Sequence, residues 1–134
     1  VLHKAKAYGV SGNLLKWLHS YLADRRIQAV VSGQTPKFRI SSGVPQGSIL
    51  GPTLFLLYVN DMEDHLPATT QLAIYADDTT LYQCIPSLTA LPVGLAQLQT
   101  AVDALAEWGQ SWKIAFEPTK SQVLTIPHHR QPWP

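Results

Sequence analysis

The chain has 134 residues, enough for one domain and hardly two. A hydrophobic fraction of 46% can supply a core, and a charged fraction of only 14% argues against a chain held open by charge. The net charge of +1 neither demands nor excludes a nucleic-acid partner, which would have to meet a local basic patch. Cys84 is the only cysteine, so no intrachain disulfide and no cysteine-based metal cluster can form. This fits a reducing compartment. The longest apolar run, near Leu54 to Val59, is far too short to span a bilayer. No signal-peptide pattern opens the chain. It begins at Val1, and its first residues read as mid-helix, so a piece of a longer protein is expected.

Residues 2–8 read as the end of a helix, with Gly9 as its stop. Ser11 suits the N-cap of a second helix, on which Leu14, Leu18, Tyr21 and Leu22 form one stripe. Asp24, Arg25 and Arg26 close it with charge. A hairpin pattern follows: Ile27 to Val31 extended, Ser32 to Gln34 turning, Lys37 to Ile40 extended. Arg25, Arg26, Lys37 and Arg39 are the densest basic group in the chain. They suit either a solvated strand face or a groove that tracks a nucleic-acid backbone. Ser41 to Ser48 is a loop punctuated by two glycines and a proline.

Pro52, after Gly51, suits the first turn of a third helix. That helix carries Leu54 to Val59 and is apolar nearly all round, which predicts burial. Residues 85–92 read as a connection. Leu95, Leu98, Val102, Leu105 and Trp112 then fall at helical spacing, with Gly109 filling one step. Trp108 and Trp112 suit a core better than a ligand platform. Residues 114–116 and 122–126 are expected as strands, with a turn at Glu117-Pro118. Residues 127–134 are expected to be a loose tail, in which His128-His129 is only a weak metal signal. Helices and strands mix without strict alternation, so the expected class is α+β, an antiparallel sheet with helices on one face.

The candidate chemistry sits between residues 72 and 82. Leu72 to Tyr75 and Thr80 to Tyr82 favour extended structure, and Ala76 to Thr79 between them can turn. The local expectation is a hairpin with Asp77 and Asp78 at its tip. Such a tip suits a solvated turn, or a metal site in which a hard divalent cation relieves the repulsion of two carboxylates. Upstream, Gly43-Val44-Pro45-Gln46-Gly47 combines two permissive glycines with a side chain that both donates and accepts hydrogen bonds.

Loop and hairpin together resemble the palm region of reverse transcriptases, most closely those of non-LTR, LINE-like retrotransposons. The matching text is Ser42 to Pro52, then Leu54 to Asp61, then Tyr75-Ala76-Asp77-Asp78. Gly9-Val10 through Trp17, Tyr21-Leu22, Arg25, Trp108, Trp112 and Lys120-Ser121 also resemble family elements, so the likeness covers about residues 2–126. It implies an RNA-directed DNA polymerase with a palm-like fold, two Mg²⁺ ions, an RNA template, a DNA primer and deoxynucleoside triphosphates. By the same resemblance Asp77 is the metal-binding aspartate and Asp78 its supporting neighbour. Tyr75 and Ala76 lie near the primer end, Gly43 to Gly47 shape the nucleotide and template pocket with Gln46 as the polar contact, and Lys120 assists pyrophosphate departure. The family usually has Asn where this chain has Glu117, three residues from Lys120.

The resemblance also marks a gap. The family's other catalytic aspartate belongs to a motif upstream of the segment that begins at Val1. Asp24, Asp61, Glu63, Asp64, Asp103 and Glu107 read as capping or solvated residues rather than substitutes. The sugar-discriminating aromatic, most of the fingers and the thumb are missing too. The expectation is a partial reverse transcriptase domain over residues 1–126, inactive in isolation. A non-catalytic nucleic-acid-binding remnant and a decayed copy are the rival readings. An intracellular protein with no membrane and no disulfide partner is expected, and the family implies the nucleus, although no basic targeting cluster is present.

Overall fold

A computed structural model describes residues 1–28, 37–40, 43–45 and 47–126. The expected turn at Ser32 to Gln34, Gln46 and the His128-His129 pair lie outside the described residues. The elements run α1 (Leu2–Ala7), α2 (Gly12–Leu22), β1 (Arg26–Ile27), β2 (Phe38–Arg39), α3 (Gly51–Val59), β3 (Gln71–Tyr75), β4 (Asp78–Tyr82) and α4 (Leu91–Trp112). Short 3₁₀ turns lie at Glu63–His65, Leu88–Ala90 and Pro118–Lys120. The chain divides into two compact units: Val1–Asp64 with Leu72–Thr80, and His65–Gln71 with the chain from Leu81 onward. No helix among the described residues is long and apolar enough to cross a membrane.

In the first unit, α1 stops where glycine permits it. Gly9 takes a φ of 87°, and the amides of Gly9 and Val10 reach back to the carbonyls of Lys6 and Ala5, each at 3.0 Å. Ser11 takes the N-cap position of α2 with extended backbone, but its side chain makes no capping bond. Ala5, Leu18 and Leu54 form the core, one residue from each of α1, α2 and α3, with Leu15, Tyr21, Leu22, Val44 and Leu57 packed around them. Leu14, expected in the buried stripe of α2, is 56% exposed. The buried face instead runs through Leu15, Leu18 and Leu22, also a helical spacing. Only Gly51, Leu54 and Val59 of α3 are buried, and Leu56 is exposed, so an apolar circumference did not ensure full burial.

An ion pair ties α1 to the end of α3. The Lys4 ammonium donates to Asp61 and, at 2.6 Å, to the Tyr58 carbonyl, and it lies 5.0 Å from the centre of the Tyr58 ring. Burial, and after it the Asp61 charge, raises the Tyr58 phenol above its ordinary 10.0. β1 and β2 pair antiparallel with Arg26 opposite Arg39 and Ile27 opposite Phe38. β3 and β4 make the second two-stranded sheet. The described strands are thus two small sheets rather than one broad one, and the coarse α+β class holds.

In the second unit, the buried face of α4 runs through Gly94, Ala101, Leu105, Trp108 and Gly109. It is displaced from the expected stripe, since Leu95 and Val102 are 44% and 47% exposed. Trp108 is a core residue at 3% exposure, as its position suggested. α4 ends by folding back: Lys113 takes a φ of 59°, and the Ile114 amide donates to the Gly109 carbonyl at 2.8 Å. No strand forms at 114–116 or 122–126, contrary to expectation. Their β-prone residues find no strand partner among the described residues, and Val123, Leu124 and Ile126 are more than 80% exposed.

The fold-back explains Gly109. A Cβ there would sit 2.7 Å from the Ile114 carbonyl oxygen and 3.0 Å from the Phe116 ring. Alanine gains up to about 1 kcal/mol in helix propensity over glycine, but a backbone clash of this kind costs about 1–3 kcal/mol. Gly109→Ala is therefore expected to lower the urea midpoint rather than raise it. An unchanged or higher midpoint refutes the close approach.

Candidate active site

The hairpin of β3 and β4 has a two-residue connection, Ala76-Asp77. Asp78 is the first residue of β4 and Thr79 follows within it, so the turn is tighter than expected and only one aspartate sits at the tip. In a two-residue hairpin the residues flanking the loop face each other, so Tyr75 and Asp78 share a face. Both are exposed, Tyr75 to 83%, while Leu72, Ile74, Thr79 and Leu81 on the other face are half-buried. Ala76 holds a φ of 52° without being glycine. Left-handed backbone with a Cβ costs about 1–2 kcal/mol. Such strain clusters at functional sites, and here it adjoins Asp77.

The loop at 43–47 is shaped differently. Gly43 and Gly47 take φ values of 81° and 77°, which favour glycine, and a Cβ at either would meet nothing within 4 Å. Conformation, rather than crowding within the chain, selects glycine here. Ser48 closes the loop onto α3: its hydroxyl donates to the Pro45 carbonyl at 2.7 Å and accepts from the Gly51 amide at 3.0 Å. Gly51 is buried, and a Cβ there would lie 3.0 Å from both the Pro45 oxygen and the Ser48 hydroxyl. A serine three residues before a helical glycine could have signalled this clasp in the sequence, as a local side-chain-to-backbone bond.

Loop and hairpin meet. Val44, Pro45, Gly47, Gly51, Pro52, Phe55, Leu56, Ala76 and Asp77 line one open pocket of about 440 Å³. Apart from Asp77 its side chains are apolar, so Asp77 is the charged residue of a largely hydrophobic lining. Phe55 and Leu56 are additions that the sequence presented only as core residues. Tyr75 and Asp78 do not line the pocket.

Arg25, expected among the backbone-tracking cations, is engaged within the fold. Its guanidinium donates to the Gly43 carbonyl and, at 3.4 Å, to the Leu22 carbonyl, tying the end of α2 to the loop. Arg39 pairs with Asp24 at 2.5 Å on the surface. Arg26 and Lys37 are exposed.

Lys120 belongs to the second unit, in the 3₁₀ turn Pro118–Lys120, and is exposed. Glu117 caps that turn, accepting from the Thr119 hydroxyl at 2.8 Å and the Thr119 amide at 3.3 Å. The hydroxyl bond first, then the amide bond, lowers the Glu117 carboxyl below its ordinary 4.5. A lowered carboxyl stabilises the turn above the unfolded value, and that contribution disappears as pH falls through the folded one. The Thr119 amide resonance should therefore titrate with a midpoint below 4.5. A midpoint at or above that value removes the cap.

Mg²⁺ takes hard oxygen ligands in octahedral geometry, and Asp77 and Asp78 are donors of the right chemistry. Their number is insufficient. Among the described residues no group of three or more His, Cys, Asp or Glu side chains could hold a metal ion. The donors among the described residues therefore do not make a two-ion ligand set.

The loop and the hairpin that carry the two motifs thus line one pocket. The family model for reverse transcriptase (RNA-dependent DNA polymerase) matches residues 1–132, and the chain belongs to this family. It is 33% identical over 133 residues to the RNA-directed DNA polymerase from mobile element jockey of Drosophila melanogaster, covering 94% of this chain and 14% of that protein. The corresponding jockey protein of Drosophila funebris is 31% identical over 134 residues, again 94% of this chain and 14% of the relative. A probable RNA-directed DNA polymerase from transposon X-element of Drosophila melanogaster is 33% identical over 109 residues, 78% of this chain and 12% of the relative. The likeness is to reverse transcriptases of non-LTR retrotransposons, and the chain spans about one-seventh or less of these curated relatives, 14% of the first two. No solved structure matches the chain.

Proposed function

We propose that the intact protein polymerises DNA on an RNA template, and that this chain contributes part of its palm. The pocket that joins Val44, Pro45 and Gly47 to Asp77 supports this reading. It brings Val44, Pro45 and Gly47 of the loop and Asp77 of the hairpin, about thirty residues apart in sequence, to one surface. In this reading residues 1–126 are a partial reverse transcriptase domain whose helices cover one face of an antiparallel palm sheet, with 127–134 as a tail. Asp77 is the metal-binding aspartate and Asp78 its neighbour. Gly43 to Gly47, Tyr75 and Ala76 line the path of nucleotide and primer, and Lys120 assists the leaving group. RNA template, DNA primer and deoxynucleoside triphosphates are the partners, and Arg26 and Lys37 are the exposed cations of the hairpin that can meet a phosphate backbone.

The carboxylates that complete a two-Mg²⁺ site come, in this reading, from outside these 134 residues. The isolated chain is then inactive. Primer extension on an RNA template, measured for this chain and for a longer protein containing it, tests both statements. Extension only by the longer protein, dependent on Asp77, supports them. Robust Asp77-dependent incorporation by the isolated chain overturns the second, and a longer protein that extends equally well without Asp77 overturns the first.

A further inference from the structure

A second pocket, of about 430 Å³, opens between α1 and α2. Its six lining residues, Leu2, His3, Lys6, Leu15, Lys16 and His19, include none of those that line the pocket at Asp77. Leu2 and Leu15 are half-buried, while His3, Lys6, Lys16 and His19 are exposed around them. No acidic residue occurs before Asp24 in the sequence, so neither helix carries a negative side chain to offset these groups. The nearby Lys4 is committed to Asp61 and the Tyr58 carbonyl, but Lys6 and Lys16 form no ion pair among the described residues. The chain as a whole is nearly neutral at +1, so two lysines around one concavity with no acidic residue on either helix are a local concentration of positive potential.

We propose that this groove between α1 and α2 binds the phosphate backbone of a nucleic acid through Lys6 and Lys16, with His19 as a further donor, separately from the pocket at Asp77. An apolar floor with a cationic rim suits a phosphodiester chain, since ammonium groups neutralise phosphates while the floor contacts sugar or base. Of the four basic residues that the sequence singled out, Arg26 and Lys37 remain exposed and the other two are engaged within the chain. Arg25 is spent on Gly43 and Leu22, and Arg39 on Asp24. The proposal rests on the polymerase reading for its choice of partner, but its test does not pass through catalysis.

The test is the salt dependence of binding by the full 134-residue chain to labelled single-stranded RNA, single-stranded DNA and an RNA–DNA hybrid, followed by fluorescence anisotropy. Each phosphate contact contributes about 0.7 to the slope of log affinity against log salt on a single strand, and about 0.9 on duplex DNA. Lys6→Gln and Lys16→Gln should each lower the single-strand slope by about 0.7, which amounts to about fivefold weaker binding at 0.1 M relative to 1 M salt. Lys16→Arg should retain binding. Lys113→Asn removes one charge from the exposed end of α4, at a left-handed residue that Asn tolerates, and should leave the slope unchanged. Equal losses in Lys16→Gln and Lys113→Asn would show a non-specific charge effect and overturn the site, as would unchanged slopes in both groove variants. The three probes separate RNA from DNA as the source of the phosphates. Failure of the groove variants to affect binding leaves the extension assay untouched, so the two readings fail independently.

Discussion

Replacing Asp77 by Asn in a longer protein that contains this chain is expected to lower Mg²⁺-dependent primer extension by about 10³-fold or more. The substitution keeps the side chain's shape and removes its charge. Asp77 is exposed in a two-residue turn, so its loss should change stability by no more than about 0.5 kcal/mol. What changes is the ligand: a hard divalent cation favours anionic oxygen over a neutral amide. Asp78→Asn should cost less, because Asp78 lies in β4 on the face shared with Tyr75 and does not line the pocket that Asp77 edges. The measurement is single-turnover extension of a labelled primer on an RNA template, with the unfolding midpoint of each variant recorded alongside. Extension by the Asp77→Asn variant within tenfold of the parent would sink the assignment. Equal losses at both positions would instead give the two carboxylates one shared role.

The sequence carried most of the helical architecture because helices announce themselves locally. Gly9 ends α1, Pro52 starts α3, and a 3.6-residue period runs through α4, each a short-range signal. The buried faces were harder. Leu14 lost its place to Leu15, and on α4 the buried line passes through Gly94, Ala101 and Gly109, where small residues permit close approach. Hydrophobicity alone does not mark a glycine as buried. Ile85 packs so closely over the buried Gly94 that a Cβ there would meet its side chain at 2.8 Å, which no composition pattern reveals. The two strands expected beyond α4 failed for a different reason. A strand needs a partner, and the β-prone residues from Ile114 to Ile126 lack one among the described residues.

The candidate site was legible as two motifs but not as a geometry. Sequence supplied the loop and the hairpin, and the likeness to a family tied them together. It did not show that the turn is Ala76-Asp77 alone, which separates the two aspartates into a tip and a strand position. Nor could it show that Arg25 holds the loop rather than facing outward, because that bond joins positions eighteen residues apart. Ser48 was the most readable omission, since its clasp spans only three residues on either side. Charge density pointed to the hairpin at 25–39, whereas the folded chain gathers Lys6 and Lys16, ten residues apart, at one groove.

Lys4 gives the largest expected effect on stability. It is 3% exposed, yet it carries an ammonium group, and a buried charge survives only when its partners offset the loss of water. Asp61, the Tyr58 carbonyl and the Tyr58 ring supply that compensation. The carbonyl belongs to the last turn of α3, where a cation also meets the negative end of the helix. Lys4→Met keeps the apolar stem but leaves Asp61, with 24% of its side chain exposed, facing an uncharged thioether. Breaking a buried pair by removing one partner costs about 3 kcal/mol, and Asp61→Asn should cost a comparable amount by removing the ammonium's anionic partner. The double variant Lys4→Met/Asp61→Asn should then be less destabilised than the sum of its parts, by about 1–3 kcal/mol of coupling. Urea unfolding of the four proteins measures this directly. Strict additivity, or single losses below about 0.5 kcal/mol, would mean that the pair is no better than a solvated surface contact. The expected coupling has a further consequence for the site. α3 begins at Gly51, Pro52 and Phe55 of the Asp77 pocket and ends at the Lys4 pair, so the pair anchors the far end of the helix that forms the pocket wall. Lys4→Met should therefore lose extension in step with its unfolding, recoverable at lower temperature, whereas Asp77→Asn should lose it at every temperature at which the protein is folded.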